Sequence, residues 1–137
     1  MSTTILLIDD EVALLKNLEL VFMKHQFDVI TATDGLMGLE RARKDKPSLI
    51  ILDLYLPKLD GHRICRLLKS DERYRHIPIL MLTGSADPED RKWATQAGAD
   101  GFVQKPFDLA MLLGQAQALI SSQATAKSNK SKTPPSP

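Results

Sequence analysis

Five short apolar runs alternate along the chain with longer stretches whose apolar residues recur at i, i+3 and i+4, and that alternation predicts the architecture. Thr4–Ile8, Asp28–Ala32, Leu49–Asp53, Ile79–Thr83 and Gly101–Gln104 are the predicted strands, the second the weakest of them. Most of these runs are continuous and do not alternate with polar residues, the pattern of parallel strands covered by helices on both faces. The spacing predicts a helix from Val12 to about His25, with Leu14, Leu15, Leu18, Val21 and Phe22 inward, and a second from Asp34 to Lys44, closed by Pro47. Asp60-Gly61 opens a third, bearing Ile64, Leu67 and Leu68. Asp87-Pro88 starts a short fourth that ends at Gly98. Asp108 caps a fifth, with Leu109, Leu112, Leu113, Ala116 and Ile120 as its apolar stripe.

This order of elements is that of a doubly wound, five-stranded parallel α/β sheet, strand order 2-1-3-4-5 with five helices, a flavodoxin-like arrangement. At 137 residues the chain holds one well-buried domain, placed at residues 1–122. From about Ser121 periodicity gives way to Ser, Lys and Pro, so residues 123–137 are expected to be a disordered tail or linker stub.

Charge and cysteine content narrow the partners. A net charge of +1 gives no reason to expect direct nucleic-acid binding or an anionic membrane surface. No apolar run reaches the ~20 residues of a membrane span, so no membrane insertion is expected. Cys65 is the one cysteine, which suits a small packing residue in a reducing compartment, and the expectation is a cytoplasmic protein.

The candidate chemistry lies at the strand ends. Asp9-Asp10 follow the first strand, Asp53 ends the third, Thr83 ends the fourth and Lys105-Pro106 follow the fifth. In the 2-1-3-4-5 order strands one and three are neighbours, so the three carboxylates meet at the edge where open α/β sheets build their sites. That much negative charge calls for protons or a cation, and a hard divalent ion with oxygen ligands, Mg²⁺ foremost, fits it. The alternative for Asp9-Asp10 is a turn into the first helix, whose positive end favours acids. Lys105 beside the pocket would pair with Asp53, aimed by a cis bond if Pro106 adopts one. His25, His62 and His76 fall away from the strand ends, so no histidine phosphorelay site is expected.

Asp9-Asp10, Asp53-Leu54-Tyr55-Leu56-Pro57 with Asp60-Gly61, Thr83-Gly84, and Ala97-Gly98-Ala99-Asp100-Gly101 through Lys105-Pro106-Phe107 together resemble the receiver domain of two-component response regulators, from about Thr4 to Ser122. The resemblance implies that Asp53 is the phosphoacceptor, served by a sensor histidine kinase, a phosphotransfer protein or a small phosphodonor. Asp10, Asp53 and the Tyr55 backbone carbonyl would hold Mg²⁺, with Asp9 reaching it through water. Thr83 and Lys105 would contact the phosphoryl group, and Thr83 with Phe102 would form the switch that reshapes the face of helix 4, strand 5 and helix 5 for a downstream protein target. Phe102 stands where the family often has tyrosine. Tyr55 and Ser85 occupy positions at which the family tunes access of hydrolytic water, and the bulk of Tyr55 is expected to hinder it.

The resemblance implies a switch, not an enzyme acting on a separate substrate. An Asp-nucleophile phosphatase would need a second aspartate two positions after Asp53, where Tyr55 stands, and a flavin module would need a phosphate loop where Asp9-Asp10-Glu11 would repel the phosphate. A stand-alone receiver is expected, with a receiver fragment of a larger regulator as the alternative. The last helix has no charged residue between Asp108 and Lys127, so a monomer or weak dimer is expected. For Trp93, the one tryptophan, two readings stay open, a partner anchor on the short fourth helix or a packing residue at the edge of the core.

Overall fold

The computed structural model describes residues 3–132, with side-chain surroundings through Gln123. β1 (Thr4–Ile8), β2 (Asp28–Ala32), β3 (Leu49–Asp53), β4 (Ile79–Thr83) and β5 (Gly101–Gln104) form one parallel sheet in the order β2-β1-β3-β4-β5. α1 (Val12–Lys24), α2 (Gly35–Asp45), α3 (Gly61–Lys69), α4 (Pro88–Gln96) and α5 (Leu109–Lys132) cover it. The expected fold class is the observed one.

Successive strand side chains point to opposite faces, so each central strand feeds two cores. Leu6, Ile8, Ile50, Leu52, Ile79 and Met81 pack toward α2, α3 and α4, while Ile5, Leu7, Leu49, Ile51, Leu80 and Leu82 pack toward α1 and α5. β3 and β4 are buried along their whole length, and β2 is largely half-buried, as its weaker pattern predicted.

The polar punctuation works as capping chemistry. Asp34, Asp60, Asp87 and Asp108 each accept a backbone N–H in the first turn of the following helix, from Met37, Arg63, Glu89 and Ala110 at 2.7–2.9 Å. Asp100 does a different job. Its carboxylate accepts from the Ile79 amide at 2.8 Å and pairs with Lys69 at 2.8 Å, and Lys69 also donates to the Ile77 carbonyl, so one partly buried cluster joins α3, β4 and the turn before β5.

Two expectations change. Leu109 is 44% exposed, whereas Leu112 and Ala116 of the same stripe are buried in the core. The backbone of α5 continues to Lys132, past the Ser122 boundary drawn from the loss of an apolar stripe. Gln123, Ala124, Ala126 and Lys127 are good helix formers even without a face to bury. Residues 133–137 of the expected tail lie outside the described residues.

Candidate functional site

Register brings the strand ends together. Ile8 lies beside Leu52, Asp53 beside Leu82 and Thr83 beside Gln104, so Asp9, Asp53, Thr83 and Lys105 emerge along one edge of four adjacent strands. Asp9 and Asp53 are buried and Asp10 is exposed, and a carboxylate oxygen from each lies within 4.8 Å of the others. This is a hard-oxygen donor set of the kind Mg²⁺ takes through one or two carboxylates.

Lys105 is the cation of this edge. Its Nζ donates to Asp9 Oδ2 at 2.8 Å and to Glu11 Oε1 at 3.3 Å, and lies 3.7 Å from Asp53 Oδ2. The tightest partner is therefore Asp9, not the expected Asp53, and Glu11 joins the cluster unforeseen. The bond between Lys105 and Pro106 is cis, as the sequence allowed. Burial pulls the Lys105 ammonium toward neutrality, but the Asp9 hydrogen bond and the charges of Asp53, Asp9 and Glu11 outweigh it and hold its pKa above the ordinary value.

One lysine does not balance the carboxylates. Burial first, then the charge of Asp9, pushes the Asp53 carboxyl up to about 6, against the pull of Lys105 and a hydrogen bond from the Tyr55 amide. A group so displaced has charge left to neutralise, which a bound cation would do. The residues present fit a Mg²⁺ ion.

Thr83 is fully buried, and its Oγ1 accepts from the Ser85 amide at 3.2 Å. Phe102 is half-buried at the margin of the core, with the Arg91 guanidinium 5.3 Å from its ring centroid. The backbone beneath the site is tight. A methyl group on Gly61 would collide with the Asp53 carbonyl, so α3 starts hard against the end of β3 because residue 61 lacks a side chain.

The remaining sequence candidates lie around this edge. Tyr55 is 54% exposed, and its hydroxyl donates to Asp90 Oδ2 at 2.7 Å, so its ring reaches toward α4. That bond pushes the Tyr55 phenol up to about 12. Trp93 is partly exposed and partly packed. It is 41% exposed and stacks on the buried His62 ring with centroids 3.8 Å apart. Neither pairing was foreseen from sequence, since each joins residues about thirty positions apart with no motif linking them.

Comparison with known proteins agrees with this geometry. Residues 5–117 match the family described as the response regulator receiver domain. The chain is 40% identical over 116 residues to the DNA-binding dual master transcriptional regulator RpaA of Synechocystis, covering 85% of this chain and 48% of that protein. It is 38% identical over 119 residues to the response regulator PleD of Caulobacter vibrioides, covering 87% of this chain and 26% of PleD. The chain thus spans half or less of these relatives. Among solved structures, the receiver domain of sensor histidine kinase PA1611 from Pseudomonas aeruginosa, described with a magnesium ion coordinated in its active-site cleft, superimposes with a TM-score of 0.81 at 30% identity, covering 88% of this chain and 99% of that one. A CheY-like receiver domain protein from Methanospirillum hungatei shares the fold with a TM-score of 0.87 at 23% identity, covering 92% and 99%. With its strand order, its edge of carboxylates and lysine, and this match over most of its length, the chain belongs to the receiver domains of response regulators.

Proposed function

We propose that this domain is a phosphorylation switch that accepts a phosphoryl group on Asp53. The observation that carries the proposal is the convergence of Asp9, Asp10 and Asp53 with Lys105 on one sheet edge, joined there by Thr83. Phosphoryl transfer needs an in-line nucleophile and neutralisation of spreading oxygen charge more than it needs a general base. An Asp53 oxygen attacks phosphorus as the bond to the donor breaks, and the leaving group of a phosphohistidine or small phosphodonor keeps the electron pair. Lys105, released from part of its bonding to Asp9, turns to the incoming phosphoryl oxygens, and Thr83 Oγ1 donates to another.

Asp10, Asp53 and the Tyr55 carbonyl would hold Mg²⁺, with Asp9 acting through water, and the ion would supply further neutralisation of the transferring group. The relative described with magnesium in its cleft supports this assignment. Movement of Thr83 toward the phosphoryl group would leave room for Phe102 to turn inward and alter the face of α4, β5 and α5. Phosphorylation then acts through its differential stabilisation of one packing.

The partners that follow are a sensor histidine kinase or phosphotransfer protein and a downstream protein target. Nucleic acid is not set aside for the whole protein, because one relative is described as DNA-binding and this chain spans about half of it. Among the described residues no helix is long and apolar enough to cross a membrane.

The test is intact mass after treatment with acetyl phosphate and Mg²⁺. One phosphate should be gained, and the gain should vanish in Asp53→Asn or when EDTA removes the metal. An adduct that survives Asp53→Asn would overturn the assignment.

A further inference from the structure

The site at the ends of β3 and β4 has an unassigned neighbour on α4. Tyr55 stands two residues after Asp53 and Ser85 two residues after Thr83, so each of the two adjacent strands sends one residue into the loops beside the site. Both lead to the same carboxylate. The Tyr55 hydroxyl donates to Asp90 Oδ2 at 2.7 Å, and Ser85 and Tyr55 together hold the Asp90 carboxyl below its ordinary pKa, which places the Ser85 side chain beside the same carboxylate. The donor count is consistent, because Ser85 Oγ already accepts from the Asp87 amide at 3.1 Å and has its own hydrogen left to give. One turn further along α4, Trp93 stacks on His62 of α3, so the segment following β3 meets α4 at a second point on a neighbouring part of its surface.

Asp90 is a half-buried acid in the first turn of α4, a position that suits the positive end of the helix but does not itself call for the bond to Tyr55. We propose that Asp90 is a positioning residue of the phosphoryl site, which ties Tyr55 and Ser85 together across the mouth of the pocket and joins both to α4. This rests on the reading that Asp53 carries the phosphoryl group. The chain from Tyr55 through Asp90 to Ser85 bars one side of the approach to Asp53, limiting the line along which water attacks the adduct. It also gives the site a mechanical connection to α4 that does not pass through Phe102. Because coupling is reciprocal, loosening the tie changes the site as well as the helix.

The test uses Asp90→Ala, which removes the acceptor, and Asp90→Asn, which keeps one. Each protein is phosphorylated with acetyl phosphate and Mg²⁺, freed of donor, and followed by intact mass. The adduct should decay roughly fivefold faster in Asp90→Ala, the change that loss of one modest hydrogen bond permits, and near the parental rate in Asp90→Asn. Tyr55→Phe should match Asp90→Ala, and the double variant should be no faster than either, since all three break the same tie. Trp93 gives a second readout, because its emission should respond to phosphorylation in the parent and in Asp90→Asn, and much less in Asp90→Ala. Parental decay in Asp90→Ala, equal acceleration in Asp90→Asn, or additive effects in the double variant would overturn the role of Asp90. An absent adduct in the parent would instead overturn the assignment of Asp53, so the two failures are distinguishable.

Discussion

α3 and α4 follow the two strands that carry Asp53 and Thr83, and each is nine residues long, yet they are held in different ways. α3 buries Gly61, His62, Ile64, Cys65 and Leu68, starts in direct contact with the Asp53 backbone, and is anchored at its other end by Lys69 bonding to the Ile77 carbonyl and Asp100. α4 buries only Ala94 and is otherwise attached through side chains at its rim, Asp90 to Tyr55 and Trp93 to His62. A helix with little apolar surface to lose can shift at low cost, since burial is the main term that fixes a helix in place. The difference assigns roles. α3 holds Asp53 still, and α4 is the helix that can shift.

The strongest way to break this contrast is to cut into both helices. Gly61→Ala forces a methyl group into the Asp53 carbonyl, and Ile64→Ala empties a fully buried position, so each should destabilise the fold by about 3 kcal/mol in denaturant titrations. Trp93→Ala removes a larger side chain from α4 but should cost only about 1 kcal/mol, because the ring is 41% exposed and touches the core mainly through His62. Equal losses from Ile64→Ala and Trp93→Ala would mean that α4 is as firmly seated as α3.

The rigid side also carries an electrostatic load, and relieving it should stabilise the protein. The folded-state pKa of Asp53, about 6, lies above the ordinary carboxylate value near 3.9. Between those two values the folded state binds the extra proton, so stability falls as pH rises, and the full penalty stands above about pH 6. In EDTA at pH 7.5 or so, Asp53→Asn should therefore be more stable than the parent by about 2 kcal/mol after allowance for solvent screening. The gap should close as pH falls toward about 4. Mg²⁺ should narrow it at neutral pH by stabilising the parent more than the variant. A pH-independent gap would show that shape, not charge, separates the two side chains.

How much of this was legible in the sequence follows from how each feature is encoded. Buried parallel strands are continuous apolar runs, so Ile5 to Ile8 and Leu49 to Leu52 announced themselves, and a charged residue directly after such a run must lie at the sheet edge. Caps such as Asp34 and Asp108 were legible because they act on their own helix, two or three residues on. Pairings set by how distant elements lie against each other were not legible. Lys105 was expected on Asp53 and is tightest on Asp9, because Asp9 and Asp53 follow level positions on neighbouring strands and only side-chain placement decides which oxygen is nearer. The motif containing Asp100 was recognised, but its bonds to the Ile79 amide and Lys69 depend on where α3 ends over β4. The length of α5 divided two signals that usually agree, since backbone propensity outlasts the apolar stripe.

A smaller effect sharpens the contrast at the junction of the two helices. The phosphoryl adduct of Tyr55→Ala should decay faster than that of the parent, because the bulky ring that reaches Asp90 from the loop after β3 is gone. Intact-mass decay measures this, and an unchanged or slower rate would mean that the ring, turned toward α4, shields nothing.

The smallest effect concerns the contact between α3 and α4 itself. Burial lowers the pKa of His62 below its ordinary value, opposed by the charge of Asp60 and assisted by Arg66 and Arg63. The sign is opposite to that of Asp53. An unfolded His62 takes a proton near pH 6.5 while the folded one resists, so its contribution is complete above that pH and is lost as pH falls through the lower folded value. Comparing the parent with His62→Gln between about pH 7.5 and 5 cancels the larger Asp53 term, which both proteins share, and the parent should lose stability relative to the variant as the solution is acidified. Trp93 supplies a local reading, because its emission should titrate with a midpoint below 6.5 in the parent and stay flat in His62→Gln. A midpoint at or above 6.5 would show that the ring protonates freely against the indole. The stack would then be a loose surface contact, and α4 would be held to α3 by even less than its burial suggests.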